Sequence, residues 1–326
     1  MISEPFSPFT DACEASVRSL SETRLIESIQ QWLGPVCPVS PGGIGDDCAV
    51  TDLTGEHRYL LTTVDGVAWG EHFDHTVSPE LAGRKLIARN LSDIASMGGI
   101  PRRAVVSLWM CAEVSLAWLE AFYRGIAALA QVHGVSIVGG DISRAPAGVF
   151  IADLCLQGMC ERPVQRKGVG IGDTLWVTGE LGGSILGHHA RFEPRIAEGR
   201  WLSETGWAKA MMDVSDGLAK DLASLVGNFR VEVETLPISE AAIQLADQRG
   251  GSAREHALCD GEDYELVFAL DRDSECEAFS AAWAERFTTP LTCMGSVVER
   301  AGNFMLCVKD ETGAWQPFGK QGYEHF

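Results

Sequence analysis

The sequence predicts two domains, an N-terminal α/β domain with a mixed sheet and a C-terminal α+β domain. The chain has 326 residues, 46% of them apolar, which is more than one hydrophobic core usually serves. Strand and helix patterns do not alternate strictly in the first half, as they would in a wholly parallel sheet. Residues 160–173 are basic, glycine-rich and poor in apolar side chains, which is typical of a boundary. We therefore divide the chain into residues 1–158 and 159–326.

The first half begins with a helix, a strand and a second helix. Apolar residues recur at helical spacing over residues 22–33. Residues 59–64 are a β-prone run, which places Asp65 at the carboxyl end of a strand. Residues 79–98 open with a proline and close at a glycine, and their apolar stripe predicts a helix that carries Asp93 off that stripe.

The rest of this half contains three strands and one helix. Periodicity predicts a strand over 104–110, an amphipathic helix over 116–132, a strand over 135–138 that ends before Asp141, and a strand over 149–157.

Strands and helices mix in the second half. The predicted elements are a strand over 174–178, a glycine-rich entry to a short helix over 179–187, a helix from Leu218, a strand over 264–270, a helix over 275–286 and a strand over 291–298. Asp216 is placed to cap the helix that begins at Leu218.

The charge of the chain excludes some classes of function. Lys and Arg total 26 against 45 Asp and Glu, a formal net charge of −19, which repels nucleic acid and anionic membrane surfaces. We expect neither as a partner. A phosphorylated small substrate would also be repelled, unless carboxylates hold divalent cations that compensate its charge.

Cysteine usage and apolar runs indicate a cytoplasmic protein. The ten cysteines contain no C-x-x-C pair and are predicted to be free, buried thiols in a reducing compartment. The N-terminus lacks the features of a signal peptide. The longest apolar run, near residues 104–112, is too short to span a membrane.

Common motifs for nucleotide and metal sites are either absent from the sequence or in the wrong context. No Walker loop is present, and the glycines over 168–172 precede a strand where a dinucleotide fingerprint needs a helix. His188 and His189 are predicted to be a surface pair, since adjacent side chains diverge and no spaced metal-ligating partner accompanies them.

Seven aspartates lie within two positions of Gly, Ser or Thr at predicted strand ends or helix starts. They are Asp46, Asp47, Asp65, Asp93, Asp141, Asp213 and Asp216. One such residue alone is by default a turn or cap residue. Several that converged would repel each other unless cations lay between them, and a set of oxygen ligands favours Mg²⁺.

Nine segments, in order over nearly the whole chain, carry a resemblance to a family. They are GIGDDCAV, DGVAWGEHF, NLSDIASMGGIP, GGDIS, RKGVGIGD with VTGELGGS, MDVSDGLAKDL, GEDYEL and GYEHF. In these the chain resembles the thiamine-monophosphate kinase family of the aminoimidazole-ribonucleotide synthetase superfamily. The resemblance implies an N-terminal domain that forms a barrel with its twin in a homodimer, and a cleft between the domains for ATP and metals.

The resemblance also implies a reaction. The γ-phosphoryl group of ATP would pass directly and in line to thiamine monophosphate, assisted by several Mg²⁺ ions, and give thiamine diphosphate. Such a reaction depends on alignment and charge neutralisation. No dedicated catalytic nucleophile or general base is expected, because the attacking phosphate oxygen is already ionised.

Carried over position by position, the resemblance implies three groups of site residues. The metal ligands are Asp47, Thr63, Asp65, Asp93, Asp141, Asp213 and Asp216. The ATP-binding residues are Arg166, Ser215 and Asp141. The residues facing thiamine monophosphate are His72, Glu262 and Lys320. The role of Asp46 stays open.

The chain departs from the family pattern at three places. Val64 replaces a usual threonine, so only its backbone can contact a metal. The helical segment after Gly187 is shortened. Lys320 replaces an aromatic residue that would pack on the substrate. The aromatic residues nearby are Trp315, Phe318 and Tyr323.

Two alternatives remain. One is another ATP-dependent enzyme of the superfamily, such as aminoimidazole-ribonucleotide synthetase. Selenophosphate synthetase is disfavoured because Cys13 has no lysine nearby, and the hydrogenase-maturation protein because the chain ends in GYEHF and not in cysteine. The other is a non-catalytic sensor of nucleotide or thiamine phosphate, which has little need for so many mutually repelling buried charges.

Overall fold

The computed structural model describes residues 19–33, 40, 42–53, 58–302, 304–310, 312–320 and 322–323. The predictions made on the N-terminal segment, including Cys13, and on the last three residues of GYEHF lie outside this range. Within it, no helix is both long enough and apolar enough to cross a bilayer.

Eight α-helices are described. They are α1 (Glu22–Leu33), α2 (Pro79–Ser96), α3 (Leu116–His133), α4 (Ile196–Thr205), α5 (Leu218–Val226), α6 (Glu240–Arg249), α7 (Ala253–Cys259) and α8 (Cys276–Arg286). Ser78 begins α2 by accepting a hydrogen bond from Leu81 N, and proline follows it at the first helical position. α3 ends at Gly134, whose φ of 67° is the left-handed conformation that glycine adopts without strain.

Twelve strands form two sheets. They are β1 (Ala49–Asp52), β2 (Tyr59–Ala68), β3 (Ile100–Met110), β4 (Ser136–Arg144), β5 (Phe150–Cys160), β6 (Thr174–Thr178), β7 (Ala208–Asp213), β8 (Arg230–Val233), β9 (Leu266–Leu270), β10 (Leu291–Val298), β11 (Leu306–Lys309) and β12 (Trp315–Phe318). The mixed α/β architecture predicted from the sequence is confirmed.

The first sheet has the order β1-β2-β5-β3-β4 and is open. Its strands are antiparallel except for the parallel pair β3 and β4. Alternate residues such as Leu61, Val106 and Leu154 are buried in the core that α2 and α3 complete. Asp93 of α2 therefore lies on this inner face of the sheet, against Thr63 of β2.

The opposite face of the first sheet is exposed and carries a group of apolar side chains, and we name it the outer face. Val64 (64% exposed), Val105, Trp109 (49% exposed) and Ile151 lie on it. The register places them side by side, with Val64 and Val105 both opposite Cys155, and Trp109 opposite Ile151. Apolar side chains in such a contiguous patch are typical of an interaction surface.

The second sheet has the order β12-β11-β8-β10-β6-β9-β7 and is also open. Every residue of β9 is buried, because both faces are covered. Val267 packs into the core completed by α5, whereas Phe268 packs into a second core with Phe279 and Trp283 of α8. A strand covered on both faces reads as a continuous apolar run, as this one does.

Several predicted boundaries differ from the structure. Asp65 was placed at a strand end, but β2 continues to Ala68, because β5 pairs with it along its whole length. Asp141 lies within β4, which pairs in parallel with β3 beyond the glycine pair. Tyr264 precedes β9, since its φ of 52° is incompatible with an extended strand. The division at residue 158 and the barrel stay predictions.

Candidate functional site

Three carboxylates converge between the two sheets. Asp47 lies in the loop before β1, Asp93 on α2 and Asp213 at the end of β7, and one oxygen from each lies within 4.8 Å of the others. We name this set the carboxylate cluster. The sequence singled out all three residues, and the fold brings them together from distant positions in the chain.

The cluster is poorly solvated, which perturbs its protonation. Burial, followed by repulsion from Asp65 and Asp213, raises the pKa of Asp93 well above its ordinary value. Burial and the neighbouring Asp47 raise the pKa of Asp213 to about 7. Without a counter-charge, the folded protein therefore retains protons that carboxyl groups in water would release.

Hydroxyl groups donate hydrogen bonds to Asp93 and Asp213, whereas one oxygen of Asp47 has no hydrogen-bond partner in the part of the chain that the structure describes. Thr63 Oγ1 donates to Asp93 Oδ2 at 2.5 Å, and Ser92 Oγ donates to Asp213 Oδ2 at 2.5 Å. Asp47 Oδ2 is buried and has no hydrogen-bond partner among the described residues. Oxygen-only donors with one unpartnered buried atom fit a hard divalent cation such as Mg²⁺.

Arg166 lies against the loop that supplies Asp47. Its Nη2 donates to Asp47 Oδ1, its Nε lies 3.6 Å from Asp46 Oδ1, and its backbone N–H is 3.3 Å from the same oxygen. Burial and the adjacent Asp47 raise the pKa of Asp46 to about 6. Asp46 therefore connects the acidic loop to the segment that carries Arg166. From this segment, the Arg166 guanidinium contacts the carboxylate cluster at Asp47.

Asp65 lies beside an arginine of α2. Arg89 Nε is 3.2 Å from Asp65 Oδ2, and Arg89 Nη2 donates to Oδ1 at 3.2 Å. The backbone N–H of Asp65 donates to Asn90 Oδ1 at 3.0 Å. This carboxylate thus lies next to the cluster and contributes to the raised pKa of Asp93. Val64 points to the outer face, away from it.

The turn from β7 into α5 holds Ser215 and Asp216. Both backbone N–H groups donate to Asp221 Oδ2, at 3.1 and 3.2 Å. The prediction that Asp216 caps α5 is wrong: the cap position is Gly217 with no side-chain hydrogen bond. Asp221, inside the helix, instead holds the preceding turn through these two bonds, and Asp216 Oδ2 lies 2.8 Å from Lys220 Nζ.

Two predicted site residues lie apart from the cluster in the single chain. Asp141 is opposite Ser107 in the register of β4 and β3, which puts it on the outer face, and it accepts a hydrogen bond from Ser143 at 2.9 Å. Lys320 is 63% exposed and pairs with Glu255 at 2.9 Å. Their roles stay predictions.

His72 and Glu262, the two other residues expected to face the acceptor, both contact Lys85 of α2. Lys85 Nζ donates to the backbone oxygen of His72 at 2.8 Å and lies 2.6 Å from Glu262 Oε1. Glu262 has a φ of 56°, a left-handed conformation that costs a non-glycine residue about 1–2 kcal/mol. Its backbone N–H donates to Ser215 O at 2.7 Å, which supports this conformation.

The prediction of a surface histidine pair is wrong for His189. The shortened segment forms two short 3₁₀ turns, Ser184–Leu186 and His188–Ala190. The second turn buries His189, whose Nδ1 lies 2.9 Å from Lys85 Nζ. Burial and the Lys85 charge lower the pKa of His189 to about 4, so its ring is neutral near pH 7.

Sequence reasoning missed Lys85 and Arg89, although a signal was present. These residues and Asp93 recur every four positions on α2, and such residues share one helix face. A fully buried lysine such as Lys85 on this face is unusual. We name Lys85, Arg89 and Asp93 the polar row of α2; it extends from His72 and Glu262 to the carboxylate cluster.

Comparison with known proteins gives consistent results. Residues 45–160 match the family described as AIR synthase related protein, N-terminal domain. A thiamine-monophosphate kinase of Rhodopirellula baltica is 38% identical over 297 residues, covering 87% of this chain and 90% of that protein. One from Bacillus subtilis is 32% identical over 314 residues, covering 87% and 93%.

Solved structures share the architecture. The structure named AaThiL complexed with AMPPCP and TMP has a TM-score of 0.79 and 28% identity, covering 95% of this chain and 99% of that one. The hydrogenase-maturation protein HypE of E. coli has a TM-score of 0.66 at 20% identity, covering 92% and 98%. This second likeness shows the fold alone.

Proposed function

The chain belongs to the thiamine-monophosphate kinase family, and on that premise we propose that it transfers the γ-phosphoryl group of ATP to thiamine monophosphate, giving thiamine diphosphate. It is a kinase by family. Direct in-line transfer, Mg²⁺ dependence, a homodimeric assembly and a cytoplasmic location are the finer parts of this proposal.

The observation that carries the proposal is the convergence of Asp47, Asp93 and Asp213 beside Arg166. The three carboxylates would hold Mg²⁺, which when bound neutralises phosphate charge and orients the phosphate chain. Further proposed ligands are Thr63, Asp65, Asp141 and Asp216. The unpartnered oxygen of Asp47 supports this use of the cluster.

The chain's own residues would bind and orient the two substrates. Arg166 can donate two parallel hydrogen bonds to phosphate oxygens of ATP, as guanidinium groups do. Ser215 lies in the turn beside the cluster and is the other proposed ATP contact, with Asp141. His72 and Glu262 face the acceptor in this proposal, and Lys320 does so near the C-terminus. No side chain needs to remove a proton, because the acceptor phosphate is ionised.

The direct test mixes the protein with ATP, MgCl₂ and thiamine monophosphate and quantifies thiamine diphosphate and ADP by chromatography. Equal amounts of both products are expected, and EDTA should abolish them. ADP without thiamine diphosphate would point to another enzyme of the superfamily. Binding of both substrates without either product would point to a sensor.

The homodimer is proposed on the outer face of the first sheet. Its apolar side chains need a covering surface, and a second copy in isologous contact would supply one of matching chemistry. Trp109→Asp should therefore yield a monomer in sedimentation velocity. Leu116→Asp, an exposed apolar position on α3 off this face, is the matched control and should keep the wild-type mass. A wild-type monomer at micromolar concentration would refute the dimer.

A further inference from the structure

Lys85 has a fully buried ammonium group whose hydrogen-bonding capacity is used completely. The side chain is 0% exposed. Its three N–H donors have three acceptors, His72 O at 2.8 Å, His189 Nδ1 at 2.9 Å and Glu262 Oε1 at 2.6 Å. An ammonium carries three donors and no acceptor, so this arrangement satisfies it. A buried lysine is rare unless it is paired in this way.

The three acceptors belong to three separate segments. His72 follows β2, His189 lies in the turn after Gly187, and Glu262 follows Gly261 in the loop before β9. Lys85 therefore connects the loop that carries one residue expected to face the acceptor with the loop that carries the other. His189 contributes an acceptor without a charge, so the positive charge of Lys85 balances that of Glu262.

The Lys85 contact leaves one carboxylate oxygen of Glu262 available. Oε1 contacts Lys85, whereas Oε2 lies 3.7 Å from His189 Nδ1 and receives no hydrogen bond from the described residues. The Glu262 side chain is 29% exposed, while Lys85 beneath it is not exposed at all. Oε2 is thus a fixed acceptor at the surface of the site.

We propose that Lys85 and His189 are positioning residues that fix the Glu262 carboxylate, through Oε1, so that Oε2 accepts a hydrogen bond from a donor on the thiamine part of the acceptor. This inference rests on the proposed function. It also assigns a role to the shortened segment, whose turn delivers His189 to Lys85. Neither residue has a polar contact with Arg166 or Ser215, two of the proposed ATP-binding residues, among the described residues.

The test is a comparison of Michaelis constants for the two substrates. Lys85→Met keeps the length of the side chain and removes its charge. We expect its KM for thiamine monophosphate to rise about tenfold to a hundredfold, the usual effect of losing a charge-assisted hydrogen bond, and its KM for ATP to stay within about twofold. His189→Leu should raise the acceptor KM less, because the Lys85–Glu262 pair remains.

The matched control is Lys209→Met. Lys209 also contacts two partners, with Asp173 at 2.9 Å and Asp271 at 3.0 Å, but it lies on β7 away from the acceptor-facing residues. Both of its Michaelis constants should equal those of the wild type. A variant that merely loosened the fold would change both constants together.

A double variant tests whether Lys85 acts through Glu262. The acceptor KM of Lys85→Met/Glu262→Ala should equal that of Glu262→Ala alone, because the group that Lys85 positions is then absent. If the two substitutions instead multiplied their effects on the acceptor KM, the inference would be overturned. A folded Lys85→Met enzyme with normal acceptor KM would also overturn it. If Lys85→Met does not fold, His189→Leu must still show the selective rise. A wild-type protein that makes no thiamine diphosphate would instead refute the proposed function.

Discussion

Replacing Asp213 with asparagine measures how strongly the carboxylate cluster opposes folding when no cation is bound. Asn keeps the volume and can still accept the hydrogen bond from Ser92 Oγ, which is 2.5 Å from Asp213 Oδ2. It removes one of three charges that lie within 4.8 Å of each other. The variant therefore isolates the electrostatic contribution of the cluster.

The magnitude follows from the pKa of Asp213, which burial and Asp47 raise from 3.8 to about 7. Keeping this group ionised in the folded state costs about 4 kcal/mol, since a factor of ten in proton affinity corresponds to about 1.4 kcal/mol. The folded protein holds a proton that the unfolded chain releases above pH 4. The contribution of Asp213 to the free energy of unfolding of the wild type therefore falls as pH rises from about 4 to about 7, and it is constant above pH 7.

The assay is thermal unfolding in EDTA between pH 5.5 and 8.5. Asp213→Asn should melt higher than the wild type at pH 8, by on the order of 5–10 °C, and this advantage should shrink below pH 7. Added MgCl₂ should raise the wild-type midpoint more than that of the variant. The control is Asp271→Asn, which removes an exposed carboxylate outside the cluster. A variant less stable than the wild type at pH 8, or an advantage that does not change with pH, would refute this reasoning.

Three further predictions follow from single contacts. Asp47→Asn should lower kcat about a hundredfold or more at unchanged circular dichroism, because a ligand charge is lost at constant volume; normal turnover would remove Asp47 from the proposed metal ligands. Gly83→Ala should destabilise the protein by about 3 kcal/mol in urea unfolding, since the new Cβ would lie 1.9 Å from a carbonyl of α3; Gly139→Ala, whose nearest neighbour is at 3.8 Å, should not. Arg195→Met should lower the free energy of unfolding by about 3–5 kcal/mol, because it leaves the buried Glu265 without its two-point partner.

The sequence predicts well those elements that local periodicity determines. The strands Thr174–Thr178 and Leu291–Val298 and the helix from Leu116 match the prediction within one residue, because each has an unambiguous period and clear flanking signals. Elements that depend on partners were harder to predict. β4 passes through two glycines that normally end a strand, since pairing with β3 supports it. Short edge strands such as β12 carry too few residues for a periodic signal.

The candidate site, too, was predictable only where local sequence carries the signal. The aspartates were identifiable because seven of them recur at predicted strand ends or helix starts, and Asp47, Asp93 and Asp213 converge in the structure. Asp141 could not be placed, because one residue of register decides which face of a strand it occupies. His189 was misassigned because its burial depends on a partner 104 positions away in the chain, and nothing in the local sequence reports that partner.

The polar row of α2 also fixes the distance between its two ends. Asp93 is eight positions after Lys85, which is about 12 Å along a helix at 1.5 Å per residue. If one end of this rigid rod recognises the organic part of the acceptor and the other end serves the phosphates, the helix sets the length of molecule that fits both ends at once. An extra residue inserted between them would turn one end by about 100° relative to the other. Selection by molecular length would then be lost even with every contacting side chain still present.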